Sequence, residues 1–229
     1  MAPVLIVPVI NRPDLFRRCV ESIDIDVRLV VVDNSPEGFA IDHVPDSAHV
    51  MEPPGNLGYG ASVNTVIKAL PHEPYWLCAN ADVEFAPGDL SRLAGATEEW
   101  GWVGLTDWRA FGLTAATVER VGFLDEGFVP AFCEDADYER RCSLAGIRWG
   151  FIEGETTHVR SVSLADYGDD NARSYPANVR RYVEKWGGML RGGETYETPW
   201  DRGGSLADGT GPDLSRLRAL AWGADRRSG

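Results

Sequence analysis

The uninterrupted run Leu29-Val30-Val31-Val32 constrains the fold more than any other feature of the chain. β-Branched residues set side by side, with no polar residue on alternate positions, suit a strand covered on both faces, as in parallel α/β sheets. Around it the chain alternates in the same way. Val4 to Val9 is an apolar β-rich run, Asn11-Arg12-Pro13 turns the chain, and Leu15, Phe16, Cys19, Val20 and Ile23 follow at helical spacing. A second helix is predicted through Val63, Val66, Ile67 and Leu70, then a buried strand at Tyr75–Ala79 that stops at Asn80. Trp102–Thr106 and Trp149–Ile152 read as later strands, and 134–145 as a helix with Tyr138, Cys142 and Ala145 on one face. A last helix through Val179, Tyr182, Val183 and Trp186 stops at Gly187-Gly188. The expectation is one α/β domain over 1–190, then 191–229 as a glycine-rich linker and a short docking helix through Leu214, Leu217 and Ala221.

Strand ends carry the polar residues. In open parallel sheets ligands bind beyond the carboxyl ends of the strands, which places Asp33 and Asn80-Ala81-Asp82 where a ligand would sit. Downstream, Glu134, Asp135 and Asp137 follow the apolar, aromatic-rich stretch Phe128–Cys133. Carboxylates there read either as helix-start chemistry, favoured by exposed amides and the dipole, or as charge held beside a hydrophobic wall for a purpose. A formal net charge of −13 argues against nucleic acid or anionic lipid as partner. The same charge would repel a diphosphate unless a cation stood between, which makes a divalent metal attractive. Cys19, Cys78, Cys133 and Cys142 lack zinc-site spacing and read as reduced core residues, with Cys133 bordering the acidic motif. The N-terminal stretch lacks signal-peptide character and no run reaches the roughly 18 apolar residues of a membrane span, so a cytoplasmic location is expected.

Taken in order, Val7-Pro8-Val9-Ile10-Asn11-Arg12-Pro13, Val31-Val32-Asp33-Asn34-Ser35, Asn56/Gly58/Gly60/Asn64, Asn80-Ala81-Asp82 and Glu134-Asp135-Ala136-Asp137 resemble a family 2 glycosyltransferase of the GT-A fold, rhamnosyltransferase-like in flavour. The resemblance implies a Rossmann-like nucleotide-sugar-binding domain with a mixed, mostly parallel central sheet flanked by helices. It implies that Asp33 accepts a hydrogen bond from the base of a UDP- or dTDP-sugar, with Pro8, Val9 and Asn11 as the adjoining wall. Asn56, Gly58, Gly60 and Asn64 would serve ribose and diphosphate, glycine removing a side chain that blocks backbone approach. Asn80-Ala81-Asp82 stands where the family has its metal-binding Asp-x-Asp, so only Asp82 keeps the charged ligand. His158 resembles the late histidine that completes such sites, for Mn2+ or Mg2+.

In that setting Asp135 is the candidate general base of an inverting single displacement, with Glu134 and Asp137 as alternatives for the role; otherwise Glu134 holds an acceptor hydroxyl and Asp137 pairs with Arg140 or Arg141. Arg160, Arg180, Arg181 and Lys185 are the basic residues placed to reach the diphosphate, or else a solvated helix face. Trp100, Trp102, Trp108 and Phe111 read as core or as a sugar-stacking wall. The acceptor hydroxyl is open between carbohydrate, glycan-lipid, small molecule and protein, and the C-terminal segment is a candidate for homodimer contact. Two other readings stand beside this one. A sugar-phosphate nucleotidyltransferase lacks the basic, glycine-rich signature near the N-terminus, and a catalytically silent nucleotide-sugar-binding or scaffold protein is favoured by Asn80.

Overall fold

The structure, a computed structural model, describes residues 2–38, 40–158, 168–210, 214, 217 and 218. Its elements run β1 (Val4–Val9), α1 (Pro13–Glu21), β2 (Arg28–Asp33), β3 (His49–Met51), α2 (Tyr59–Ala69), β4 (Tyr75–Ala79), β5 (Val83–Glu84), α3 (Asp89–Glu99), β6 (Trp102–Leu105), β7 (Asp107–Thr114), α4 (Ala115–Val121), α5 (Glu134–Leu144), β8 (Trp149–Ile152), β9 (Thr157–His158) and α6 (Gly168–Trp186). The central sheet has seven strands in the order β3-β2-β1-β4-β7-β6-β8. β7 alone runs antiparallel to its neighbours β4 and β6, so the sheet is mixed and mostly parallel. The alternating strands and helices predict the α/β class, and the mixed, mostly parallel Rossmann-like sheet is the one that the resemblance implies.

Both faces of the sheet are covered, which is why its strands carry no polar alternation. Val4, Ile6, Val30, Val32, Trp76 and Cys78 pack on one side against α2, α4 and α5. Leu5, Val7, Leu29, Val31, Leu77 and Ala79 pack on the other against Phe16 and Cys19 of α1 and Leu90 and Leu93 of α3. At about 25 cal/mol per Å² of apolar surface buried, these two layers supply the main drive to fold. α3 and β7 approach closely because Gly112 leaves room: a Cβ there would lie 1.7 Å from Thr97 Oγ1.

Beyond α6 the chain folds back onto the domain rather than trailing off as a linker. The Thr195 and Tyr196 amides donate to Trp186 O at 3.0 Å each, and Leu214 is fully buried in the main core. Residues 191–210 are therefore part of the packed body, and Ala221 of the expected docking helix lies outside the described residues. The loop before α5 is anchored from α6 by Asn178, whose Nδ2 donates to the carbonyls of Val129, Ala131 and Phe132 at 3.3, 2.8 and 3.3 Å.

Candidate active site

A cleft of about 1100 Å³ opens at the carboxyl ends of β1, β2 and β4 and reaches across to the start of α5. Pro8, Val9, Asn11, Asn34, Asn56, Gly58, Asn80, Ala81 and Asp82 line one part, and Glu134 and Asp135 the wall opposite. β1 and β2 pair in register through Val9 and Asp33, so the residues that end these strands arrive together at one edge. Most of the residues expected to bind a donor thus meet in one place.

Three of them face elsewhere. Asp33 Oδ1 accepts from the Ser35 amide at 3.0 Å and Oδ2 from the Ala40 amide at 2.8 Å, so this buried carboxylate shapes the loop after β2. Asn64, expected at the diphosphate, is fully buried; its Nδ2 donates to Leu124 O at 2.8 Å and its Oδ1 accepts from the Leu124 amide at 3.1 Å. Gly60 sits inside α2, where a Cβ would make ordinary contact with Leu124 Cβ at 3.5 Å, and it is not among the residues that line the cleft. Gly58 lines the cleft, yet what approaches it is the protein's own backbone. Its φ is +78°, a Cβ would lie 2.8 Å from Pro130 O, and the next amide, Tyr59 N–H, donates to that same oxygen at 2.8 Å.

The two carboxylates at the start of α5 differ in environment. Burial, reinforced by the neighbouring Asp135 charge, pushes Glu134 up to about 8, and among the described residues its Oε2 has no hydrogen-bond partner. Burial also raises Asp135, while the Ala136 amide and Arg191 pull it back towards ionisation. Arg191 Nη2 lies 3.2 Å from Asp135 Oδ2 and 2.9 Å from Glu139 Oε1. Asp137 belongs to the core: burial opposes its charge, but Arg141 at 2.7 Å, Lys185 at 2.6 Å and the Trp186 indole N–H at 2.9 Å hold it below the ordinary carboxylate range. Of the two expected partners it takes Arg141. Cys133 caps the helix in a left-handed conformation, and burial first, then the adjacent carboxylates, pushes its thiol up to about 12, which leaves it inert.

The expected diphosphate cations are otherwise engaged. Lys185 is buried between Asp125, at 2.8 Å, and Asp137, and Arg181 pairs with Asp125 at 2.9 Å; Arg180 faces solvent and Arg160 lies outside the described residues. The guanidinium groups that line the cleft belong instead to Arg12, Arg109, Arg140 and Arg191. Trp102, Trp108 and Phe111 also line it, joined by Trp149 and Phe151; Trp102 and Trp108 stack at 3.8 Å, and Phe151 lies 4.5 Å from Trp108. Trp100 is excluded, packing in the opposite core layer under the Arg148 guanidinium.

A metal would have to rest on few protein ligands. Asp82 is buried at the cleft wall with Asn80 beside it, and the β5–β9 pairing sets Val83 opposite His158, one residue from Asp82. The backbone of His158 is thereby brought beside the Asn80–Asp82 turn. Among the described residues no set of three or more His, Cys, Asp or Glu converges, so substrate oxygens would complete the shell.

Residues 4–101 match the family described as glycosyl transferase family 2. The match covers a little under half of the chain. The matched segment spans β1 through α3 and includes the Asn80–Asp82 side of the cleft; the α5 carboxylates lie beyond it. No curated protein matches the chain. Among solved structures, S. aureus TarS superposes with a TM-score of 0.52 at 15% identity, over 67% of this chain and 35% of that one. Residues 1–349 of TarS give 0.51 at 15% identity, over 66% and 58%. The same form in complex with UDP gives 0.52 at 15% identity, again over 66% and 58%. At that identity the likeness establishes the fold, and the chain spans little more than half of the shorter TarS form.

Several cleft residues escaped the sequence. Glu139 lies one turn after Asp135, so helical spacing from the acidic motif would have found it. Tyr59, Arg109, Trp149, Phe151 and Arg191 carry no local signal that separates them from core or surface residues.

Proposed function

We propose that the protein is an inverting glycosyltransferase that moves a sugar from a UDP- or dTDP-sugar to an acceptor hydroxyl. The observation that carries this reading is the juxtaposition across one cleft of Asn80-Ala81-Asp82, at the end of β4, and Glu134-Asp135, at the start of α5. The UDP complex of TarS, a protein of the same fold, supports a uridine nucleotide at the donor end.

Pro8, Val9, Asn11 and Asn34 frame the nucleoside, with Asp33 behind them holding the loop. Asp82 and His158 would hold Mn2+ or Mg2+, whose charge stabilises the departing diphosphate. Asp135 takes the proton from the acceptor O–H as that oxygen attacks the anomeric carbon. The bond from that carbon to the phosphate oxygen breaks on the opposite face, and its electron pair leaves with the nucleoside diphosphate. Glu134, largely protonated at neutral pH, donates a hydrogen bond to a sugar or acceptor oxygen, so the pair divides into one base and one donor. The Trp108, Trp149 and Phe151 wall, bordered by Asp107, Glu139 and Arg109, suits the apolar face and hydroxyls of a carbohydrate acceptor. Four free, buried cysteines fit a reducing compartment such as the cytoplasm.

The test is Asp135→Asn assayed by nucleoside diphosphate release. Transfer is expected to fall about 10²- to 10⁴-fold, with nucleotide affinity unchanged. Full activity in the variant would overturn the base assignment.

A further inference from the structure

We infer that Arg191 is a positioning residue for Asp135, delivered to the cleft by the chain beyond α6. This rests on Asp135 being the base. Arg191 Nη2 reaches both Asp135 Oδ2, at 3.2 Å, and Glu139 Oε1, at 2.9 Å, while its Nε donates to Glu139 Oε2 at 3.0 Å. Glu139 is held in turn by the indole N–H of Trp108, so one guanidinium ties the base to the aromatic wall. The guanidinium fork holds Glu139 in two-point contact, and from that fixed position Nη2 alone reaches Asp135.

The segment that presents Arg191 is built rather than incidental. Arg191 adopts φ +59°, a left-handed conformation that a side-chain-bearing residue rarely takes without support. Glu194 supplies that support, its Oε1 accepting from the Arg191 amide at 2.6 Å and its Oε2 from the Gly192 amide at 2.7 Å. The buried Tyr182 hydroxyl of α6 donates to Glu194 Oε1 at 2.6 Å and fixes the arrangement to the domain. Gly193 N–H closes the turn on Met189 O at 3.1 Å.

Burial and the Glu139 charge on its own helix oppose the ionisation of Asp135, while the neighbouring Glu134, Cys133 and the Tyr59 hydroxyl of α2 are all raised and supply no positive charge. Among the described residues the cation that pairs with Asp135 is Arg191, which is shared with Glu139. Without it Asp135 would hold its proton to higher pH and lose its fixed direction, and a protonated carboxyl takes no proton from an acceptor.

The experiment pairs two readouts on wild type, Arg191→Gln, Arg191→Lys and Glu194→Gln. The first is a carbon-13 NMR titration of the Asp135 carboxyl, assigned by its loss in Asp135→Asn, which needs no substrate. The second is the pH profile of UDP release from a UDP-sugar. Removing an opposite charge at this distance raises a carboxyl by about one unit, the low end of the usual range because the pair is partly exposed. Arg191→Gln is therefore expected to move the Asp135 titration and the acid limb of kcat upward together, with UDP affinity unchanged. Arg191→Lys restores most of the shift in pH and less of kcat; Glu194→Gln gives a smaller shift in the same direction. An Asp135 titration unmoved by Arg191→Gln overturns the inference. A titration that moves while the acid limb stays still overturns instead the assignment of Asp135 as base.

Discussion

At the residue scale, the site depends on two adjacent carboxylates that do not titrate alike. Glu134 has a folded value of about 8 against an ordinary 4.5, so the native state binds the extra proton between them. Its contribution to stability is accordingly full below pH 4.5 and is lost as pH rises towards 8. Glu134→Gln should abolish that part of the slope, read as denaturation midpoint against pH; an unchanged slope would mean that the carboxyl is solvated. Asp137 works the other way. Its lowered value contributes stability that is present above the ordinary carboxylate range and lost as pH falls through the folded value. Asp137→Ala would leave the fully buried Arg141 without its carboxylate and Lys185 with Asp125 alone, at a cost of about 3–5 kcal/mol in chemical denaturation. A loss under 1 kcal/mol would contradict so dry a network. The sequence showed the four-residue acidic cluster but not this division, because identity in a motif does not reveal which carboxylate turns inward.

At the scale of elements, legibility tracked burial on both faces. β1 and β4 coincide with the expected strands, and α5 ends within a residue of its expected limit, since continuous β-branched runs and i, i+4 apolar spacing have few other interpretations. β7 and α3 went unread. β7 is Asp107-Trp108-Arg109-Ala110-Phe111-Gly112-Leu113-Thr114, half open to the cleft and interrupted by glycine, so it lacks a clean period. The glycine pair before α2 was readable as chemistry, and its purpose emerged only from the contact with Pro130. Gly58→Ala adds a methyl against that carbonyl at a left-handed φ. It is expected to cost about 1–3 kcal/mol in thermal or urea unfolding and to shift the loop that leads into Glu134. A neutral substitution would show that α2 and that loop are not tightly engaged.

At the scale of the molecule, a protein of net charge −13 presents a cleft in which arginines stand among carboxylates. Among the described residues no helix is long and apolar enough to cross a membrane. The Asn80–Asp82 side of the cleft lies in the segment that matches glycosyl transferase family 2, whereas the proposed base, the aromatic wall and Arg191 come from α5, the later strands and the chain past α6. The first half was legible because strand ends in a parallel sheet point to ligands. The second was not, because Arg191 lies in a glycine-rich stretch that reads as a linker until its packing is seen.

The measurement that tests the account most directly is thermal unfolding with UDP, dTDP, GDP and CDP, each with and without Mn2+, on wild type, Asp82→Ala and Asp135→Asn. At 100 times its dissociation constant a nucleotide adds about 2.7 kcal/mol, a readable shift. The account predicts stabilisation by UDP or dTDP that requires Mn2+, disappears in Asp82→Ala and persists in Asp135→Asn. Stabilisation by none of the four nucleotides, with or without Mn2+, would contradict it.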